Sequence, residues 1–165
     1  FKILYNGPQP IVRKILKMSW NVYLSGEIHT DWREKIENGA RHLDIKFTCP
    51  VTDHQASDDC GSTILGPETQ KFWHDRKGAG INAVRTRKLL MDADIVVVRF
   101  GEKYKQWNAA FEAGVASALG KSLIVLHVEE HQHALKEVDA AALAVASSTE
   151  EVVRILSYVV TGKLR

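Results

Sequence analysis

The sequence contains no apolar run approaching the roughly 18 residues that a membrane-spanning helix needs, so a soluble, cytoplasmic protein with no membrane partner is expected. Cysteine is scarce. Cys49 and Cys60 have the spacing of neither a zinc site nor a redox pair and read as reduced thiols. No Gly-x-Gly-x-x-Gly follows the first predicted strand and no Walker loop occurs, which argues against a dinucleotide held in the usual way; no cofactor is expected. Acid is absent from the first 17 residues, where Lys2, Arg13, Lys14 and Lys17 fall. Of 22 bases and 20 acids in all, residues 18 to 165 therefore keep 18 bases against 20 acids, and a balance so near neutral argues against nucleic acid as a partner. Residues 1–17 include Gly7-Pro8-Gln9-Pro10 and are expected to form an N-terminal extension outside the domain, with Met18 as the natural start. They lack the serine richness of a transit peptide and the cleavage site of a secretory signal. No internal repeat or low-complexity tract is visible, and 165 residues, 45% hydrophobic and 25% charged, suit one globular domain over 18–165.

What is present is an alternation of strands and helices. Trp20 to Ser25 reads as a strand ending at Gly26, with Thr30 and Asp31 placed to cap a helix that carries Trp32, Ile36, Ala40 and Leu43 on one face. Ile45 to Thr48 is a second strand, stopped by Pro50. Val51 to Gly66 shows no periodicity and reads as a long polar loop. A helix starting at Pro67-Glu68, anchored on the core by Phe72 and Trp73, is interrupted at Gly78 and Gly80, and another runs from Ile81 to Met91. Ile95 to Phe100, Ser122 to Val128 and Leu143 to Ala146 are the remaining strands, separated by a helix from Asn108 to Leu119. Ser148 or Thr149 caps a last helix bearing Val152, Ile155, Leu156, Val159 and Val160. Five strands in this alternation predict an α/β three-layer sandwich with a parallel sheet, flavodoxin-like or Rossmann-like, in the order 2-1-3-4-5.

In such folds ligands bind beyond the carboxyl ends of the strands. The segment after Ile95 to Val98 opens there, and the next helix carries Glu112, which reads as an acid in its first turn. Glu112 either favours the helix dipole or serves as a nucleophile or sugar ligand; Gly114 beside it suggests close packing. Arg99, at a strand end, needs an anionic partner, either Glu112 or a ligand phosphate. The first turn brings Gly26, Glu27 and His29 to the same edge, as loop residues or as a pocket lining. Asp53, His54, Asp58, Asp59 and Cys60, with His74 and Asp75 nearby, match no metal-ligand spacing and read as a solvated acidic loop, so no metal is expected.

The stretches Val22-Tyr23-Leu24-Ser25-Gly26-Glu27-Ile28-His29 with Asp31-Trp32-Arg33, Phe47-Thr48-Cys49-Pro50-Val51-Thr52-Asp53-His54, and Val98 through Asn108 resemble the YtoQ family, small proteins of unassigned activity. The likeness runs from about Met18 to Val160. More distantly, the chain is similar to the nucleoside 2-deoxyribosyltransferase superfamily, with Tyr23, Asp94, Glu112 and Gly114 at its motif positions. That resemblance implies attack of Glu112 on an anomeric carbon, loss of the base, and release of the sugar to water or another base. It also implies a homo-oligomer, a dimer or larger. Two departures stand out. No acid lies between Glu102 and Glu112, where Gln106 and Asn108 occur, and Arg85 and Arg87 flank Thr86 where an Asp is usual. The arginines suit a phosphate, so the expected ligand is a nucleoside or nucleotide-like small molecule, a nucleotide before a nucleoside. Glu27, His29 or Asp53 would have to supply the missing acid. The expected function is cleavage or transfer of an N-glycosidic bond; the alternative is a non-catalytic module that binds a nucleotide-like ligand.

Overall fold

Strand β1 (Trp20–Gly26) forms the middle of the molecule because Val22 to Ser25 are apolar or small enough to be buried on both of its faces. The computed structural model describes residues 19–102 and 106–164; the expected extension, Met18 and part of the loop before Asn108 lie outside them. β1 pairs in parallel with β2 (Ile45–Thr48) on one side and β3 (Ile95–Arg99) on the other. β4 (Ser122–Leu126) and β5 (Ala144–Ala146) complete a five-stranded sheet in the expected order β2-β1-β3-β4-β5. Every pairing is parallel, so all five carboxyl ends open on one edge.

Alternation along each strand separates two cores. Val22, Leu24 and Val97 face α1 (Trp32–Gly39) and α6 (Thr149–Thr161), where Trp32, Ile36 and Leu156 are fully buried. Tyr23, Val96 and Val98 face α3 (Lys71–Asp92) and α4 (Trp107–Ala118), whose Ala109, Ala113 and Ala116 let the helix lie close to the sheet. Ser148 caps α6 by accepting a hydrogen bond from the Glu151 N–H at 3.2 Å. The expected cap of α1 does not form: Asp31 pairs with Lys35 at 3.0 Å and the Thr30 hydroxyl donates to Glu27.

Residues 51–66 are not a polar loop. Asp53 accepts a hydrogen bond from the Ala56 N–H at 2.7 Å and starts helix α2 (His54–Leu65). This helix packs on α3 through glycine rather than through an apolar stripe: a Cβ on Gly61 would lie 2.2 Å from the Gly78 nitrogen. For the same reason Gly78 does not interrupt α3, which runs unbroken through Gly80, although a glycine there costs up to about 1 kcal/mol against alanine. Phe72 and Trp73 do not anchor on the core. Their rings meet edge to face with centroids 5.0 Å apart and stay 68% and 49% exposed. A further helix, α5 (Gln132–Ala141), supplies the crossover from β4 to β5 that a parallel pair requires.

Candidate functional site

Glu112 stands in the second turn of α4, not the first, and reaches the end of β1 from the α3/α4 side. Tyr23 and Ser25, two positions apart on β1, point to that same side. Both hydroxyls donate to one carboxylate oxygen, Oε2: Tyr23 at 3.3 Å and Ser25 through a short bond. Neither of these two hydroxyls bonds Oε1. Burial raises the Glu112 pKa above the ordinary carboxylate range, and the two hydroxyl donors with the Arg33 charge only partly oppose it. The expected effect of the helix dipole, an easily ionised acid, is therefore overridden. Burial and the neighbouring Glu112 push the Tyr23 hydroxyl strongly up, so it remains a donor, and Thr86 of α3 hydrogen-bonds it.

The turn after β1 is rigid. Arg33, 6% exposed, donates from Nε to the Leu24 carbonyl at 3.0 Å, from Nη1 to that of Glu27 at 2.6 Å and from Nη2 to that of Gly26 at 3.0 Å. Its guanidinium lies 4.5 Å from the Trp32 ring centroid, and the Trp32 Nε1–H also donates to the Glu27 carbonyl. Glu27, 5% exposed, accepts from the His29 N–H, from the Thr30 hydroxyl at 2.6 Å, and faces Arg99 Nε at 3.6 Å. Burial opposes its ionisation, but these partners together bring its pKa below the usual carboxylate value. Arg99 thus has its anion in Glu27, not Glu112. Gly26 adopts φ 99°, and a Cβ there would meet the Arg99 carbonyl oxygen at 2.1 Å; one on Gly101 would meet Glu27 Cγ at 2.4 Å.

The remaining expected residues are dispersed. Asp94 caps the amino end of the sheet, its Oδ2 accepting the Asn21 N–H at 2.8 Å, some four residues or about 13 Å back along the strands from Ser25. Asp53 is committed to the start of α2. Arg85 donates to the Cys49 carbonyl at 2.8 Å, beyond the end of β2, and is exposed. Asn108 is exposed in the first turn of α4. Gly114 is not packed closely, since a Cβ there would meet nothing within 4 Å. His29 is exposed, its ring 6.3 Å from that of His54. Among the described residues no group of three or more His, Cys, Asp or Glu side chains is placed to hold a metal. A cavity of about 240 Å³ opens at the same edge on the α1/α6 side, lined by Arg99, His127, Ser148 and Thr149 among others.

Sequence reasoning missed the parts played by Ser25, Arg33 and Gly101, and marked Thr86 only as the position where the resembling superfamily has an Asp. Ser25 carried a usable signal, because strand alternation puts it on the face of Tyr23. Arg33 carried one too: it adjoins Trp32 at the start of an amphipathic helix. Nothing local marks Gly101 or the bond between Thr86 and Tyr23, whose partners lie across the fold.

Comparison with known proteins agrees with the fold. A solved structure of a 2-deoxyribosyltransferase from the psychrotolerant bacterium Bacillus psychrosaccharolyticus superposes with TM-score 0.55 at 15% identity, covering 81% of this chain and 90% of that one. A conserved protein from Enterococcus faecalis V583 gives TM-score 0.55 at 16% identity, covering 81% and 94%. At those identities the likeness shows the shared fold. In sequence, the uncharacterized protein YtoQ of Bacillus subtilis (strain 168) is 41% identical over 143 residues, covering 86% of this chain and 97% of that protein. The family described as Nucleoside 2-deoxyribosyltransferase YtoQ matches residues 23–160, and the chain belongs to this YtoQ family.

Proposed function

We propose that the protein cleaves or transfers the N-glycosidic bond of a nucleotide or related sugar phosphate, with Glu112 as the nucleophile. The observation that carries this reading is the Glu112 carboxylate, partly buried and held through Oε2 by two hydroxyls that leave Oε1 outside their bonds. The Oε1–C1′ bond forms as the C1′–N bond breaks, and the base leaves with that electron pair and gains a proton. Water or a second base then displaces Glu112. The fold shared with a 2-deoxyribosyltransferase supports the reading by analogy. Exposed Arg85, which donates to the Cys49 carbonyl beyond the end of β2, is one described cation placed to meet a phosphate.

Incubation with AMP, dAMP, CMP, dCMP and the parent nucleosides, followed by chromatography for free or exchanged base, tests this. Base release that Glu112→Ala abolishes is the expected result. One observation favours a second reading, a binding module without turnover: Glu27 and Asp53 are both hydrogen-bonded into the fold and so are poor acids for the leaving base. That reading gives a saturable rise in melting temperature with no product. The expected partner is a second copy of the chain. The outward face of α4 supports it, with Trp107 and Phe111 75% and 73% exposed on the helix that carries Glu112. Sedimentation reads the oligomeric state.

A further inference from the structure

We infer that the groove between α1 and α6 binds a ligand carrying a phosphate dianion, at a site separate from Glu112. The cavity of about 240 Å³ at the carboxyl edge does not stand alone. A second, of about 300 Å³, adjoins it along the two helices and reaches Gly39, Val153 and Arg154; the two share Lys35, Thr149 and Glu150 as walls. Arg99 lines the first, Arg154 the second and Lys35 both, so three Lys and Arg side chains face one lining acid, Glu150. Strand alternation puts Arg99 with Val97 on the α1/α6 side of the sheet, whereas Tyr23, Ser25 and Glu112 meet on the other.

The three cations are committed to different degrees. Arg99 faces Glu27 at 3.6 Å, yet its buried Nε makes no hydrogen bond, so the carboxylate balances the charge of the guanidinium without satisfying its geometry. A phosphate supplies oxygens in the paired spacing that a guanidinium binds best. Lys35 and Arg154 stand in surface pairs, with Asp31 at 3.0 Å and with Glu151 at 3.7 Å. Such exposed pairs contribute little and exchange readily for a ligand anion. The end of α6 is not itself the site, because Ser148 accepts the Glu151 N–H and the Glu151 carboxylate accepts from Ser147. His127 adds wall rather than donors, its ring nitrogens lying against the Val128 carbonyl and Asp139. Phe100 and Leu126 give the first cavity an apolar part, which suits the organic body of a phosphate ester. Glu150 is the lining group that opposes an anion, and it makes the charge argument testable.

Calorimetric titration at fixed ionic strength with inorganic phosphate, ribose 5-phosphate and ribose tests the site, and amide shifts in isotope-labelled protein locate it. Phosphate is expected to bind saturably and ribose not, with the shifts centred on Lys35, Phe100, Thr149 and Glu150. Tighter binding of ribose 5-phosphate than of inorganic phosphate identifies the ligand as an ester; equal binding identifies it as free phosphate. Lys35→Ala and Arg154→Ala, both at exposed positions, should each weaken binding roughly 5-fold with no change in melting temperature. Glu150→Gln should tighten it. Arg85→Ala, on the other side of the sheet, should leave it unchanged. Absence of saturable binding by either phosphate overturns the proposal, as does binding that Arg85→Ala removes and the Lys35 and Arg154 variants leave intact. Neither result bears on Glu112, whose role is read from base release.

Discussion

Glu27 and Glu112 meet the end of the same strand from opposite sides of the sheet, and burial disfavours the charge on both. Their acidities nevertheless move in opposite directions. Glu27 receives a backbone N–H, a hydroxyl and a nearby guanidinium, and these outweigh its burial. Among the described residues Glu112 receives two hydroxyls, while Arg33, whose charge also favours its ionised form, donates to three carbonyls of the β1 turn. Hydroxyl donors orient a carboxylate without stabilising its charge as strongly as ionic partners do. The first acid is thereby a latch for the turn, and the second is a group oriented through one oxygen by two hydroxyls. Paired groups driven apart in this way separate structural from reactive roles.

The contrast breaks most visibly in activity. Glu112→Ala is expected to lower base release by roughly 10³-fold or more while leaving the fold intact. Glu27→Gln should keep measurable turnover wherever it is folded, as parallel assays at one temperature would show. In stability the order reverses. Glu27→Ala leaves the His29 N–H and the Thr30 hydroxyl without their acceptor and Arg99 without its anion, a loss of about 3 kcal/mol in urea unfolding.

The pH profiles sharpen the same difference. Because the folded-state pKa of Glu112 is raised, the native protein holds a proton that the unfolded chain has released between the ordinary carboxylate value and the raised one. Stability therefore falls as pH rises through that window, and Glu112→Gln removes the fall. The Glu27 pKa is lowered, so its contribution is present above the ordinary carboxylate value and is lost as pH drops through the folded one. Urea unfolding of both variants across acid pH separates the two slopes. The smallest effect belongs to Ser25→Ala, which removes a donor that favours the ionised form of Glu112. It should cost about 1 kcal/mol and move the acid limb of the kcat/KM profile to higher pH.

How much of this was legible beforehand depended on how each part is held together. The sheet could be read because Ile95 to Val98 and Leu123 to Leu126 are buried on both faces and therefore carry continuous apolar runs. The α2/α3 hairpin could not, because its contact is made by Gly61 and Gly78 and its aromatic residues face outward, so no apolar period marks it. Glu112 was visible as a candidate from its place after a buried strand. The direction of its acidity was not, since that depends on Tyr23 and Ser25, 89 and 87 positions away.

The most direct test of Glu112 as nucleophile is to trap the sugar. Wild type would be treated with nucleotides carrying a 2-deoxy-2-fluoroarabinosyl group, whose fluorine slows release of the ester, then quenched in acid and mapped by peptide mass spectrometry. The expected result is a single sugar phosphate adduct on the peptide containing Glu112, absent in Glu112→Gln. An adduct on another residue, or undiminished base release by Glu112→Gln without any adduct, would contradict it.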